Sequence, residues 1–393
     1  MKKKWLCILV LCVFDLSLMA FVLINPPKSE VKETLVTKQS EKENTGKDYS
    51  FTFVGVGDNL YHGAMFYYQN LAGNGFNFDS YYEATNSYTQ NADLAYINFE
   101  TLCLGNEKYE LQGYPLFNGP KEILSSVNKA GFDWWSVSSN HSLDMGADGL
   151  KEQLEDIRAN YPDVITTGSH TSQEDKDRCL VKEINGIKVG FLGYTYGLNG
   201  FSLPEDEPWL VDLIDKDQMK KDMEALSKVS DVQLVAMHWG DEYHTEINDE
   251  QAELAQYLNE LGAEVVIGSH PHVIEPVEVI QGEKQETLVY YSLGNYTSAQ
   301  DTNYSMVGGM ASFTLHYNSK TKKTSFEDTK FIPLVTWFDA GFNDWKTYII
   351  SDWNDTLAST HSLVGEYDLS KDWVRQFVQS VMGNPQNIEV VLD

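Results

Sequence analysis

The chain has 393 residues, 42% of them hydrophobic, enough to bury one large core or two ordinary ones. Lys and Arg number 29 against 58 Asp and Glu, so the formal charge is -29 at pH 7, and a surface of that sign sets nucleic acid aside as a partner. The 4 cysteines are Cys7, Cys12, Cys103 and Cys179, with no CxxC, so any metal must be held by nitrogen and oxygen.

Lys2, Lys3 and Lys4 precede residues 5–24, which are mostly apolar and long enough at ~1.5 Å per residue to cover a ~30 Å hydrocarbon core. Positive charge stays on the cytoplasmic side, so a single-pass anchor in the cell membrane is expected, with the folded part outside the cytoplasm. Leu18 and Ala20 make a poor cleavage site, which favours a retained anchor over a cleaved signal peptide. Asp15 within the span either snorkels or pairs with a partner helix. Residues 25–49 begin with Pro26-Pro27 and continue in Lys, Glu, Thr, Ser and Gln, and read as a flexible tether.

From residue 50 short apolar runs alternate with stretches of helical length. Strands are predicted at 51–56, 94–98, 134–138, 188–194, 233–237, 263–268 and 288–292. Helices are predicted from Pro120 to Gly131, over 149–160 and 215–227, and from a cap at Asp249 to Gly262. This alternation predicts an α/β sandwich with substantial parallel pairing over residues 50–335. Runs at 310–316 and 326–335 are expected to add an edge hairpin. Residues 336–393 read as an extension rich in aromatic residues, among them Trp337, Phe338, Phe342, Trp345 and Trp353, ending in a helix near 373–381. Cys103 and Cys179 are expected to be free thiols.

Polar residues cluster where strands end: Asp58 and Asn59; Asn98 and Glu100; Asn140, His141 and Asp144; His238, Trp239 and Glu242; His270 and His272; Asn295. Ligand sites in open α/β sheets lie at the carboxyl ends of strands. In His270-Pro271-His272 the proline disfavours helix at His270, so an extended residue is expected there, with both imidazoles facing one place. The pair reads either as metal ligands or as a polar loop. Imidazole and carboxylate together suit Zn, Mn or Fe(II), as one or two divalent ions, and Glu100 is the natural bridge between two ions ~3.5–4 Å apart. An acidified water then serves as nucleophile, in keeping with the lack of a GxSxG motif. Asn59, Asn98, Trp239, Glu242 and Asn295 are candidate substrate contacts, although Trp239 is equally placed to pack and Asn295 to take a left-handed turn.

The motifs Val56-Gly57-Asp58, Asn98-Phe99-Glu100, Phe117-Asn118-Gly119-Pro120, Ser139-Asn140-His141 with Asp144, Met237-His238-Trp239-Gly240, Gly268-Ser269-His270-Pro271-His272 and Tyr291-Ser292-Leu293-Gly294-Asn295 occur in that order over residues 51–299. This ordered set resembles the capsule-synthesis CapA family, relatives of the poly-γ-glutamate synthesis accessory protein, which is similar in turn to the calcineurin-like metallophosphoesterases. The resemblance implies a metallophosphoesterase-type sandwich of β-sheets flanked by helices. It places Asp58 and His272 on one metal, Glu100 between two, and Asn140, His238 and His270 on the second. His141 would be the donor beside the leaving group, oriented by Asp144. Where that pattern has a His two residues after the first Asp, this sequence has Leu60, which removes one ligand; His62 stands at the wrong offset and reads as a loop histidine.

The implied function is assembly of capsule, poly-γ-glutamate or a related cell-surface polymer, by metal-dependent hydrolysis or transfer at an amide or ester of the polymer or its precursor. One alternative is a metal-dependent phosphoesterase, disfavoured because only Lys108 and Lys121 carry positive charge near the motifs. The other is a non-catalytic subunit of a membrane polymer synthase, which a partner for Asp15 would favour.

Overall fold

A computed structural model describes residues 46–69 and 75–393. The expected anchor and all of the tether up to residue 45 lie outside the described residues, and among those described no helix is long and apolar enough to cross a membrane.

Two mixed sheets are built in three passes of the chain. The first pass lays down β1 (Asp48–Asn59), β2 (Leu94–Phe99), β3 (Trp134–Ser136) and β4 (Ile165–Thr167), all parallel neighbours. The second makes the other sheet from β5 (Leu180–Ile184), β6 (Ile187–Thr195), β7 (Val232–His238), β8 (Val265–Ser269), β9 (Val277–Gln281) and β10 (Glu286–Tyr290), in the order β5-β6-β7-β8-β10-β9. The third returns to the first sheet with β11 (Asn295–Thr297), β12 (Val307–Asn318), β13 (Lys323–Phe338), β14 (Trp345–Ile349) and β15 (Glu389–Val390), where β12 pairs antiparallel with β1.

β2, β7 and β8 are buried at every position, as central strands covered on both faces must be, which is why each is a nearly unbroken apolar run. Between the sheets Trp134 of β3 meets Phe191 of β6 with ring centroids 5.1 Å apart. A separate apolar cluster joins Val235, Met237 and Val266 of the second sheet to Met219 and Met223 of the helix Lys216–Leu226 and to Leu254 and Leu258 of the helix Asp249–Leu261. Each such fully buried side chain contributes about 1.5–3 kcal/mol. The helix Asp249–Leu261 is capped by Asn248 rather than Asp249: the Asn248 side chain accepts the Gln251 amide, the Gln251 side chain returns to the Asn248 amide, and Gly262 at φ 109° ends the helix.

The strands missed in the sequence are β4, β5, β9, β11, β14 and β15, short segments whose pattern is too brief to stand out. The line drawn between residues 335 and 336 falls within β13, and β14 pairs antiparallel beyond it. Trp345 and Trp353 are fully buried, and Phe338 stacks on Trp345 at 4.8 Å, so this aromatic stretch completes the core of the first sheet. Cys103 is buried, Cys179 is exposed, and both are free.

Candidate metal centre

β1 and β2 run in register at Asp58 and Asn98, and β7 and β8 at His238 and Ser269, so both sheets end in polar residues at the same edge of the sandwich. Close backbone packing makes this possible: a Cβ at Gly57 would lie 1.8 Å from the Gly294 carbonyl oxygen. The two edges are tied by the His270 amide, which donates to Asp58 Oδ1 at 3.3 Å.

His270 is not extended. Its φ is 99° and that of His272 is 60°, both in the left-handed region that costs a non-glycine residue of order 1–3 kcal/mol. The bias imposed by Pro271 is overridden by the bond to Asp58 and by the turn that follows β8 directly. The imidazoles still converge, with ring centroids 5.9 Å apart for His270 and His272 and 4.8 Å for His238 and His270.

Glu100 is the hub. Its Oε1 lies 3.7 Å from His238 Nε2 and 3.8 Å from His272 Nε2. These separations are too long for hydrogen bonds and match two donors each ~2.1 Å from a common ion. Glu100 Oε1 and His270 Nδ1 are buried with no hydrogen-bond partner in the protein. Donor atoms of Glu100, His238 and His270 lie within 4.8 Å of one another, as do those of Asp58, Glu100 and His272, and those of Glu242, His270 and His272. An orphaned buried carboxylate oxygen facing imidazoles is a costly arrangement without a cation, and this donor set fits a divalent metal.

Asp58 is already engaged at both oxygens: Oδ1 accepts from Asn98 Nδ2 at 2.8 Å, and Oδ2 faces His272 Nδ1 at 2.9 Å, which turns Nε2 of that ring towards Glu100. Asn140 Oδ1 lies 2.8 Å from His238 Nε2, and His238 Nδ1 is held by Ser269 Oγ at 3.0 Å. Beside this group His141 Nδ1 pairs with Asp144 Oδ2 at 2.8 Å; the same oxygen accepts the Phe117 amide, and the Phe117 ring meets the imidazole edge-on at 4.6 Å.

Burial holds the His238 imidazole neutral, and with the charges of His272 and His141 it brings His270 down to about 3. Neutral imidazole is the form that binds metal. Burial also lowers His272, but Glu100 and Asp58 outweigh it and raise that ring to about 9. Glu100 itself is pushed well above the usual carboxylate range by burial, against the pull of His272.

The candidate substrate contacts divide. Glu242 is exposed at the mouth. Asn98 is an internal brace between Asp58 and Glu100. Asn295 lies in β11 with its Oδ1 3.2 Å from His272 Nδ1, and Gly294, at φ 59°, takes the left-handed turn in its place. Trp239 is packed away from solvent: it is 1% exposed, donates from Nε1 to the Tyr291 carbonyl at 2.9 Å, and stacks on that ring. Asn59 is fully buried and accepts the Tyr82 hydroxyl. Trp239 is structural because its one polar group is spent inside the core, whereas Asn59 Nδ2 is buried without a partner.

Three neighbours, Tyr196, Tyr243 and Asn199, went unread in the sequence, and a fourth, His62, was read there as a loop histidine. Tyr196 lies 4.4 Å from His270, Tyr243 lies 6.1 Å from His272, Asn199 lies over His141 at 3.4 Å, and His62 meets Phe117 edge-on at 5.2 Å. Applying the strand-end rule to β6, which stops at Thr195, finds Tyr196 and Asn199. His62 is brought in by its contact with the Ala299 amide, for which its spacing gave no hint.

Residues 52–300 match the family model described as bacterial capsule synthesis protein PGA_cap. The chain is 30% identical over 181 residues to the PGA biosynthesis protein CapA of Bacillus subtilis (strain 168), covering 46% of each chain. It is 26% identical over 230 residues to the capsule biosynthesis protein CapA of Bacillus anthracis, covering 56% of this chain and 54% of the relative. The matched part thus spans about half the length of these relatives. Among solved structures, a putative 5'-nucleotidase from Staphylococcus aureus aligns over 73% of this chain and 54% of its own, with 17% identity and a TM-score of 0.45.

Proposed function

Because the chain belongs to the bacterial capsule synthesis protein PGA_cap family, we propose that it acts in assembly of a capsule, poly-γ-glutamate or a related cell-surface polymer, through a metal-dependent hydrolase or transferase site. In this reading residues 5–24 anchor it in the cell membrane, the folded part lies outside the cytoplasm, and the substrate is an amide or ester of the polymer or its precursor. The observation that carries the proposal is the pair of orphaned buried atoms, Glu100 Oε1 and His270 Nδ1, among the imidazoles of His238 and His272.

Glu100, His238, His270 and His272 would hold a divalent cation, with Asn140 beside His238 and with Asp58 and Asn295 orienting His272 through Nδ1. Such a cation supplies Lewis acidity to a substrate oxygen and makes a nearby water more acidic. His141 is the proton donor to the leaving atom, and Asp144 fixes its ring. The cleft residues named here include no Lys or Arg, which favours an amide or ester over a phosphoester.

The test uses the full chain in detergent, stripped with chelator and reloaded with Zn, Mn or Fe(II). Poly-γ-glutamate, simple carboxylic esters and bis(p-nitrophenyl) phosphate are then compared as substrates. Metal-dependent turnover confined to the first two supports the reading, and turnover of the phosphodiester alone reassigns the bond. Failure to bind any metal overturns it.

A further inference from the structure

The interior donors approach the cleft from the buried side, and Leu60, itself buried, offers none. On the solvent side stands Glu242, in the loop between β7 and the helix Asp249–Leu261. The loop is pinned on both sides of this residue. Asn248 Nδ2 donates to Asp241 Oδ2 at 2.8 Å, and the Tyr243 amide donates to the Pro271 carbonyl at 2.8 Å, inside the His270-Pro271-His272 turn itself. Glu242 therefore moves with the two histidines, and its carboxylate lies within 4.8 Å of the donor atoms of both. His270 is only 3% exposed and its Nδ1 has no partner, so an unmet donor already lies within this group.

We propose that Glu242 is a direct ligand of a divalent cation, joining His270 and His272 from the solvent side of the cleft. This rests on the reading that the cleft holds such a cation. A second carboxylate offsets the cation's charge, while the imidazole nitrogens keep the site selective for Zn, Mn or Fe(II) over Ca or Mg, which take oxygen ligands. Glu242 is thereby assigned to the metal rather than to the substrate.

Co(II) is the probe. The full chain and its Glu242→Gln variant are stripped and titrated with Co(II), following the d–d absorption bands, which report the ligand set independently of turnover. Glu242 is exposed, so the metal-free variant should melt with the parent. The variant should bind more weakly by at least the ~10- to 100-fold that loss of an outer-shell partner costs, with altered bands. Hydrogen exchange on the unaltered protein gives a second measurement: Co(II) should protect the amides of residues 241–244. Equal affinity and identical bands in the two proteins, or no protection of the loop, overturn the assignment of Glu242 and leave the cleft as a cation site. Absence of Co(II) binding in the parent overturns the cleft reading itself.

Discussion

Two buried clusters of titratable side chains invite comparison. In one, Lys176 Nζ lies 2.7 Å from Asp212 Oδ1 and 2.9 Å from Asp222 Oδ2, His170 Nε2 pairs with Asp212 Oδ2 at 2.8 Å, and the Tyr194 hydroxyl donates to Asp222 at 3.0 Å. His170, Lys176, Asp212 and Asp222 line a cavity of about 220 Å³ together with Phe191, Leu192 and Leu226, and each of these four polar groups has a partner within the cluster. In the other, around Glu100, three imidazoles and a carboxylate converge with two atoms unpaired. Burial and charge alone do not distinguish a site from a structural network. Unmet carboxylate and imidazole donors that face one another do, because an unpaired buried polar atom costs about 1–3 kcal/mol unless something arrives to engage it, and here two of them share one cleft.

If the contrast is right, substitutions in the two clusters should fail in different ways. The largest effect is expected from His238→Ala or His270→Ala, each removing a donor that nothing else replaces. Elemental analysis of the purified full chain should find the bound metal lost in both, and full retention in either would remove that residue from the ligand set.

Asp212→Asn comes next, and it should act on stability instead. It leaves Lys176 with Asp222 alone and His170 without its acceptor, at a cost on the order of 3 kcal/mol in unfolding experiments, with metal content unchanged. Burial raises the Asp212 carboxyl, but His170 and Lys176 outweigh it and hold it below the usual range. Its folded pKa is thus depressed, so its contribution is present above the unfolded value of ~3.9 and is lost as pH falls through the folded one. The gap in stability between parent and variant should therefore be full at neutral pH and close in acid. A gap that widens in acid would reverse the assignment.

The smallest effect sharpens the roles inside the metal cluster. Asp144→Asn keeps every donor around Glu100 and removes only the carboxylate that orients His141, so metal should be retained while turnover falls ~10- to 100-fold. His141→Ala should behave the same way. If it strips the metal as His270→Ala does, His141 is a ligand and not the proton donor.

Much of the fold was legible because strands buried on both faces are short apolar runs, too brief for helices and bounded by polar and turn residues, as in residues 94–98 and 233–237. Edge strands such as β5, whose residues alternate in exposure, gave a weaker signal. Among the candidate site residues, Asp58, Glu100, Asn140, His141, His238, His270 and His272 stood out because each lies at or soon after the carboxyl end of a strand. Trp239 satisfied the same rule and is nevertheless spent inside the core, since position at a strand end does not say which way a side chain turns.

By itself the sequence determined the order of the central strands and longer helices and the set of polar residues at strand ends, because runs of burial and caps are written in neighbouring residues. Only the tertiary structure decided which of those groups are paired and which are left wanting. The His270 amide and Asp58, 212 residues apart, meet because two sheets built from distant segments end at one edge. That meeting holds His270 at a positive φ, and with His272 at Oδ2 both Asp58 oxygens are committed while Glu100 Oε1 is left bare. Such pairing depends on register between non-local strands, and no local pattern in the chain encodes it.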